Sequence, residues 1–296
     1  MLERICRKSQ KDLKKYVANA LLKTHPHVYV EDGFVFAPGD FPVLLVAHLD
    51  TVHKTLPNEI IYTKNKDIVT SPQGIGGDDR CGVYMILNII KQYNCSVLFC
   101  EDEEIGCIGA EKFTISDVAN GLKFNYMIEL DRKGEKDAVF YECDNPEFEA
   151  FITKEHFITD AGSLSDISIL APHFGCAAVN LSCGYYNAHT TTESVVLSEM
   201  ERNIEEVLKI LDRTTPEDAF EYIEADSRYG YGWDIYGFGK KKYTEAFYII
   251  MYQDQDETIR TADVYASSEA EAIGEFMMDH PDRCFNDIID LYAEEM

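Results

Sequence analysis

The sequence predicts an α/β domain built on a mixed sheet, followed by a smaller α+β unit. Three observations carry this reading. Apolar runs at 43–47, 96–100, 125–130 and 177–182 have the length and composition of buried strands. Segments of helical period separate them, which is the alternation of a layered α/β domain. Short strand pairs joined by turn residues, as at Asp32-Gly33, add antiparallel members and make the sheet mixed.

In chain order, residues 2–23 read as an amphipathic helix with Leu13, Tyr16, Val17, Ala20 and Leu21 on one stripe. Strands at 28–31 and 34–36 flank the Asp32-Gly33 turn. The strand at 43–47 follows, then a hairpin over 60–63 and 67–70. A glycine-rich turn, residues 74–82, opens an apolar helix from about Val83 to Tyr93. Next come the strand 96–100, a short helix at 107–113 and the strand 125–130. A helix at 165–170 precedes the strand 177–182, and a helix over 197–212 closes the first part.

Residues 214–218 have linker composition, so domains are expected at 1–215 and 216–296. The second contains a glycine–aromatic loop at 229–233, strands at 246–252 and 258–265, and a turn near Gln255. A helix at 268–278 and a last helix near 284–293 complete it.

With 296 residues, 46% of them hydrophobic, the chain can bury one large core or two smaller ones. A net charge of −26 argues against nucleic acid and anionic membrane surfaces as partners. The nine cysteines are odd in number, contain no CxxC, and lie largely in apolar runs, which points to a reducing compartment. The first residues carry charges and no apolar leader core, and no stretch has the length of a membrane span. A cytoplasmic protein is expected.

The chemistry-bearing residues gather where strands end. His48 and Asp50 follow the run 43–47, and alternation puts positions i and i+2 on one side. An imidazole beside a carboxylate in that relation is the usual support of a metal-ligating histidine. Asp78 and Asp79, Glu103 and Glu104, Asp131 and His189 all follow a strand or open the next helix. In open α/β sheets ligands bind beyond the carboxyl ends of the strands. So many carboxylates in one crevice require cations, and one carboxylate can bridge two divalent ions about 3.5–4 Å apart.

The stretches VAHLDT, GIGGDDRCG, EDEEIG, ELD and NAH resemble, in order, the motifs of the di-zinc exopeptidases, particularly the peptidase T, aminoacylase and carboxypeptidase branch. The resemblance covers roughly residues 40–212. It implies a three-layer, mixed-sheet, zinc-exopeptidase-like catalytic domain with two divalent ions, zinc foremost and cobalt or manganese as alternatives. His48 would hold one ion together with Asp131, with Asp50 orienting the imidazole. Asp78 would bridge, and Glu104 and His189 would hold the second ion. Glu103 would be the general base acting on a metal-bridged water. Asp79 matches a less constrained position, and with Arg80 it reads equally as a surface ion pair.

The implied function is a metallopeptidase that cleaves small peptides, an aminopeptidase or di/tripeptidase. The alternatives are an amidohydrolase of N-acyl amino acids and an inactive metallopeptidase-like binding module. Only about 60 residues separate Asp131 from His189, too few for the lid domain of that branch. The lid is therefore expected to be absent or reduced to residues 142–159, and the chain to be a monomer or weak dimer. Tyr185 and Tyr186 are candidates for contact with the oxyanion or substrate. Asp166 falls where the family has a glycine–threonine–aspartate motif and is a candidate support.

Overall fold

In the computed structural model, residues 1–225, 246–253, 259–266, 272–274, 276–277 and 288–294 are described. The main sheet contains β1 (Tyr29–Glu31), β2 (Phe34–Ala37), β3 (Phe41–His48), β6 (Cys95–Cys100), β7 (Tyr126–Arg132), β8 (Asp137–Val139), β9 (Ile158–Asp160) and β10 (Ala178–Ser182). Their spatial order is β1-β2-β6-β3-β7-β10-β8-β9. The central strands β6, β3, β7 and β10 are parallel, and the pairings β1–β2, β2–β6 and β8–β10 are antiparallel. This is the mixed α/β architecture expected from the sequence.

Alternation along the central strands sorts side chains into two cores, and so into three layers. Val43, Leu45 and Ala47 join Val97, Phe99, Ile128 and Val179 on one face. Helices α1 (Leu2–Cys6), α2 (Gln10–Leu21), α3 (Gly77–Ile89) and α7 (Leu197–Arg213) cover that face with residues such as Leu13, Val17, Ile86 and Val207. Leu44 and Val46 join Leu98, Met127 and Ala178 on the other face, under α4 (Ile108–Thr114) and α6 (Asp166–Phe174). Strands β4 (Ile61–Tyr62), β5 (Ile68–Thr70), β11 (Tyr185–Tyr186) and β12 (Ser194–Val196) form a second, antiparallel sheet ordered β11-β12-β5-β4.

Several elements depart from the sequence reading. The helix expected over 2–23 is two helices, because Ser9 accepts the amide of Asp12 and starts α2 afresh. Residues 142–159 form no lid. Asn145 caps α5 (Pro146–Ile152), whose Phe148 and Ile152 are buried in the main core. Thus the interval between Asp131 and His189 is consumed by β8, α5, β9, α6 and β10. Past the expected linker, residues 220–225 still bond to this domain, through Phe220 N to Asn125 O, Ala177 N to Phe220 O and Ala225 N to Glu142 O.

In the tail, β13 (Ala246–Gln253) is the middle of a three-stranded antiparallel sheet with β14 (Ile259–Ala266) on one side. The helix expected near 284–293 is instead β15 (Ile288–Glu294), paired along the other edge of β13. Ile288, Leu291 and Tyr292 fit a helical stripe as well as a strand, and the non-local pairing decides between them. Residues 272–274 and 276–277 are helical, within the helix expected at 268–278. Tyr248, Ile250, Tyr252, Ile273 and Phe276 pack with Ile61, Ile68 and Val196 of the second sheet. The glycine–aromatic loop 229–233 and the turn near Gln255 lie outside the described residues. Among the described residues no helix is long and apolar enough to cross a membrane.

Candidate metal centre and active site

The register of β3 and β7 builds the first half of the site. Val46 pairs with Glu129, so two positions further on His48 and Asp131 stand side by side at the ends of parallel strands. The His48 Nε2 atom lies 3.4 Å from Asp131 Oδ1 and 3.0 Å from Asp78 Oδ1. His48 Nδ1 lies 3.1 Å from Asp50 Oδ1. A proton on Nδ1 donated to Asp50 leaves the Nε2 lone pair facing two carboxylates, with no donor among the three atoms.

Asp50 does more than orient the imidazole. Its Oδ1 accepts from the Glu103 amide and its Oδ2 from the Glu104 amide, both at 3.1 Å. One buried carboxylate therefore fixes His48 and the turn carrying both glutamates. His48 pairs with Cys100 in the sheet, and the chain turns toward Asp50 within three residues.

Asp78 supplies the shared carboxylate. Gly76 adopts φ +66 at the start of α3, a conformation that suits glycine, and Asp78 and Asp79 have non-helical angles joined by a cis peptide bond. Asp78 Oδ1 faces His48, while Oδ2 lies 3.2 Å from His189 Nε2. His189 Nε2 is also 3.0 Å from Glu104 Oε2. Two three-residue groups result, His48–Asp78–Asp131 and Asp78–Glu104–His189, each with its ligand atoms within 4.8 Å of one another. They share Asp78. His48 is fully buried, whereas the His189 side chain is 52% exposed.

The protonation pattern fits a site that requires cations. Burial, with Asp78 and Asp131 adding, pushes Glu104 up to about 7. Burial, with Asp78 adding, pushes Asp131 up to about 6. Glu103 is driven to about 8 by burial, against the pull of His48 and with Asp131, Asp166 and Glu104 adding. Burial disfavours a charged His48, yet Asp131, Asp50 and Asp78 hold it well above its usual range. A hydrogen bond to Asp78 raises His189 to about 9. Metal ions would replace these protons, and a buried Glu104 Oε1 with no hydrogen-bond partner offers a further lone pair. The mixed nitrogen and oxygen donor set suits zinc and its neighbours.

The structure thus brings His48, Asp50, Asp78, Glu103, Glu104, Asp131 and His189 together. A cleft of about 350 Å³ opens over them, lined also by Tyr141, Tyr185, Lys133 and Leu164. Tyr185 enters this cleft, and its hydroxyl is 3.3 Å from Asp131 Oδ1. Tyr186, its neighbour on β11, points the opposite way and donates to Glu199 at 2.7 Å. Asp166 is buried at the start of α6 and pushed to about 7 by burial, with Asp131 adding against the pull of His48.

Asp79 and Arg80 are not a surface pair. Both are buried. Asp79 accepts from the His48 and Gly82 amides at 3.1 and 2.8 Å, tying β3 to α3. Arg80 donates to the Leu49 and Asp50 carbonyls at 2.6 and 2.8 Å, fixing the strand end from behind.

Sequence reasoning missed Glu193. It is fully buried, and Oε2 accepts from the Gly76 amide and lies 2.7 Å from His53 Nε2. Its Oε1 accepts from the Asp78 amide at 3.0 Å. Nothing in Thr191-Thr192-Glu193-Ser194 marks it, since it reaches the Asp78 loop only through β12. Tyr141 was also missed. Its hydroxyl accepts from Asn180 Nδ2 at 3.0 Å at the wall of the cleft.

A three-layer mixed sheet whose strand ends carry two nitrogen–oxygen groups sharing one carboxylate has the fold of the zinc-dependent exopeptidases, as the motif resemblance implied. Among solved structures it is similar to the TET aminopeptidase from the archaeon Thaumarchaeota SCGC AB-539-E09, at 12% identity over 73% of this chain and 97% of that one, TM-score 0.57. The aminopeptidase PepT from Bacillus cereus aligns at 14% identity over 71% and 96%, TM-score 0.55. A glutaminyl cyclase from Porphyromonas gingivalis aligns at 15% identity over 72% and 96%, TM-score 0.51. No protein-family model and no curated protein matches the sequence.

Proposed function

We propose that this chain is a two-metal hydrolase of small amide substrates, with peptides foremost: an aminopeptidase or a di/tripeptidase. The observation that carries the reading is Asp78, whose two oxygens each meet a different histidine and a different further carboxylate. His48, Asp78 and Asp131 would hold one ion, and Asp78, Glu104 and His189 the other. Bound zinc-class ions supply polarisation of the scissile carbonyl and a water whose proton leaves near neutral pH.

Glu103 is the base in this scheme. It lines the cleft beside the ligands, it coordinates in neither group, and burial raises its affinity for a proton above the usual carboxylate range. It takes a proton from the attacking water and delivers it to the leaving nitrogen. The C–N bond breaks, and water is divided into the hydroxyl of the new acid and the proton on the new amine. Asp50 holds the Glu103 amide and His48 in fixed relation through this step. With no lid among the described residues, Tyr141 fits the oxyanion donor, because its oxygen already accepts from Asn180 and its proton is left to give. Tyr141→Phe would then lower kcat more than it raises KM, and an unchanged kcat would remove it from that role.

The second reading is deacylation of N-acyl amino acids, which uses the same centre on a different amide. The fold also carries cyclase chemistry in a structural neighbour, so substrate decides the matter. A panel of aminoacyl-anilides, dipeptides and N-acetyl amino acids, with added zinc, cobalt or manganese, separates these readings. No hydrolysis of any of them by metal-replete protein would overturn the proposal. The described cysteines are all free and buried, which supports a reducing, cytoplasmic setting. The open cleft and the absence of a lid among the described residues support a monomer or weak dimer.

A further inference from the structure

The loop that carries His189 lies between the metal centre and the C-terminal unit. Residues 187–193 join β11 to β12, which pair through Tyr185–Val195 and Tyr186–Ser194. The two tyrosines of β11 face opposite ways. Tyr185 lines the cleft, whereas Tyr186 packs against the cluster that holds Tyr248, Ile250, Ile273 and Phe276. One short strand therefore has the metal site on one side and the tail on the other.

The far half of the loop is tied back to the catalytic domain. The Thr190 carbonyl accepts from the Glu193 amide at 3.3 Å, and Glu193 in turn accepts from the Gly76 and Asp78 amides. The near half, which leads into His189, meets the tail. Asn187 and His189 have φ of +54° and +67°, left-handed conformations that residues with a side chain keep when their surroundings hold them. The His189 side chain is 52% exposed, so its place over the site depends on its backbone. Gly274, in the tail helix of residues 272–274 and 276–277, is buried against Asn187. A Cβ at Gly274 would lie 2.2 Å from Asn187 Nδ2 and 3.0 Å from its Cγ. The helix backbone thus rests on the side chain two residues before the ligand, an approach that glycine permits. Ala272, Ile273 and Phe276 bury themselves with Ile61, Ile68 and Val196, which anchors the helix to the sheet that carries the loop.

We propose that the C-terminal unit clamps the His189 loop, with Gly274 and Asn187 as positioning residues, so that docking of the tail helix and filling of the second metal site favour one another. The inference rests on the two-metal reading above and names what fixes its exposed half.

The test uses the full chain. In metal-free protein, hydrogen exchange read by mass spectrometry should be faster over residues 187–193 in Gly274→Leu than in wild type, with β3 and β7 unchanged. In a zinc titration against a chelating indicator, the second step should weaken about 10- to 100-fold, the usual cost of removing a ligand's support, and the first should not move. Helix propensity favours alanine over glycine, so a smaller loss of the same kind in Gly274→Ala reports the contact and not the helix. That loss should vanish in an Asn187→Gly background, where the added Cβ meets no side chain. Because coupling is reciprocal, the second equivalent of zinc, and not the first, should slow exchange over residues 272–277 in wild type.

Wild-type exchange over 187–193 and a wild-type second step in both Gly274 variants would overturn the clamp and leave the two-metal reading standing. Equal weakening of both zinc steps would mark a general loss of structure and also overturn it. If wild type takes up fewer than two ions, the two-metal reading fails, and exchange of the metal-free loop decides the clamp: faster in the variants upholds it, unchanged overturns it. Should Gly274→Leu not fold, Gly274→Ala carries the same two readouts.

Discussion

Glu193 is the residue through which the second sheet sets the position of the shared ligand, and Glu193→Gln isolates that role. The change preserves volume. The amide oxygen can occupy the Oε2 position, where it still accepts from the Gly76 amide and His53. The amide NH2 then falls at Oε1, where it faces the Asp78 N–H, donor against donor. The cost combines the loss of a charged acceptor with a buried N–H left without a partner, about 3 kcal/mol. For a chain of this size that corresponds to a fall in Tm of roughly 5–10 °C. The Asp78 turn would loosen, and metal affinity should drop about 10- to 100-fold, as when a ligand's supporting partner is removed. Thermal melts, together with competition against a chelating indicator, read both effects. A variant with wild-type Tm and wild-type metal affinity would refute the assignment of Glu193 as the support of Asp78.

Glu103→Gln should retain both metals and the fold while losing about 10²–10⁴-fold in kcat, the usual worth of a general base; wild-type turnover in that variant would assign the base elsewhere. Gly82→Ala should unfold the protein or lower its Tm sharply, because the added Cβ would lie 1.8 Å from the Leu130 carbonyl where α3 crosses β7; a melt within a degree or two of wild type would contradict that packing. The metal-free protein should lose stability as pH rises from about 5 to 9. Asp131 (about 6), Glu104 (about 7), Glu103 (about 8) and His189 (about 9) all hold protons more tightly folded than unfolded, so their contribution is complete at low pH and vanishes as each is passed. Asp50 is shifted downward and opposes this trend only in the acid range below about pH 4. Added zinc should therefore raise Tm more at pH 8 than at pH 5.5, and a metal-free Tm that climbs across that interval would contradict the charge accounting.

What the sequence revealed and what it hid follow a physical divide. His48, Asp78, Glu103, Glu104, Asp131 and His189 were legible because they follow strands or open the next helix, within stretches that resemble the motifs of the di-zinc exopeptidases. Of the residues that support them, Asp50 was legible from its place two positions beyond His48, whereas Glu193, Asp79 and Arg80 were not. Glu193 and Asp79 act by accepting backbone amides of distant loops, and an acid in a polar stretch gives no sign of that. Arg80 looks like a surface charge until the Leu49 and Asp50 carbonyls above it are placed. Local signals were also overlooked where they existed: Asn145-Pro146 is a helix start, with the cap and the N1 proline in order. For β15, no local signal sufficed. Ile288 to Tyr292 satisfies both periods, and only the free edge of β13 selects the strand.

The central claim is that Asp78 is shared by two metal ions, and titration of divalent metal into metal-free protein tests it most directly. The account predicts two equivalents of zinc per chain. The buried group around His48 and Asp131 should fill more tightly than the exposed one around His189. Asp131→Ala should abolish the tight step and leave one equivalent, whereas Asp78→Ala should weaken both. A wild-type stoichiometry of zero or one, or an Asp78→Ala protein that still takes up two ions with undiminished affinity, would contradict it.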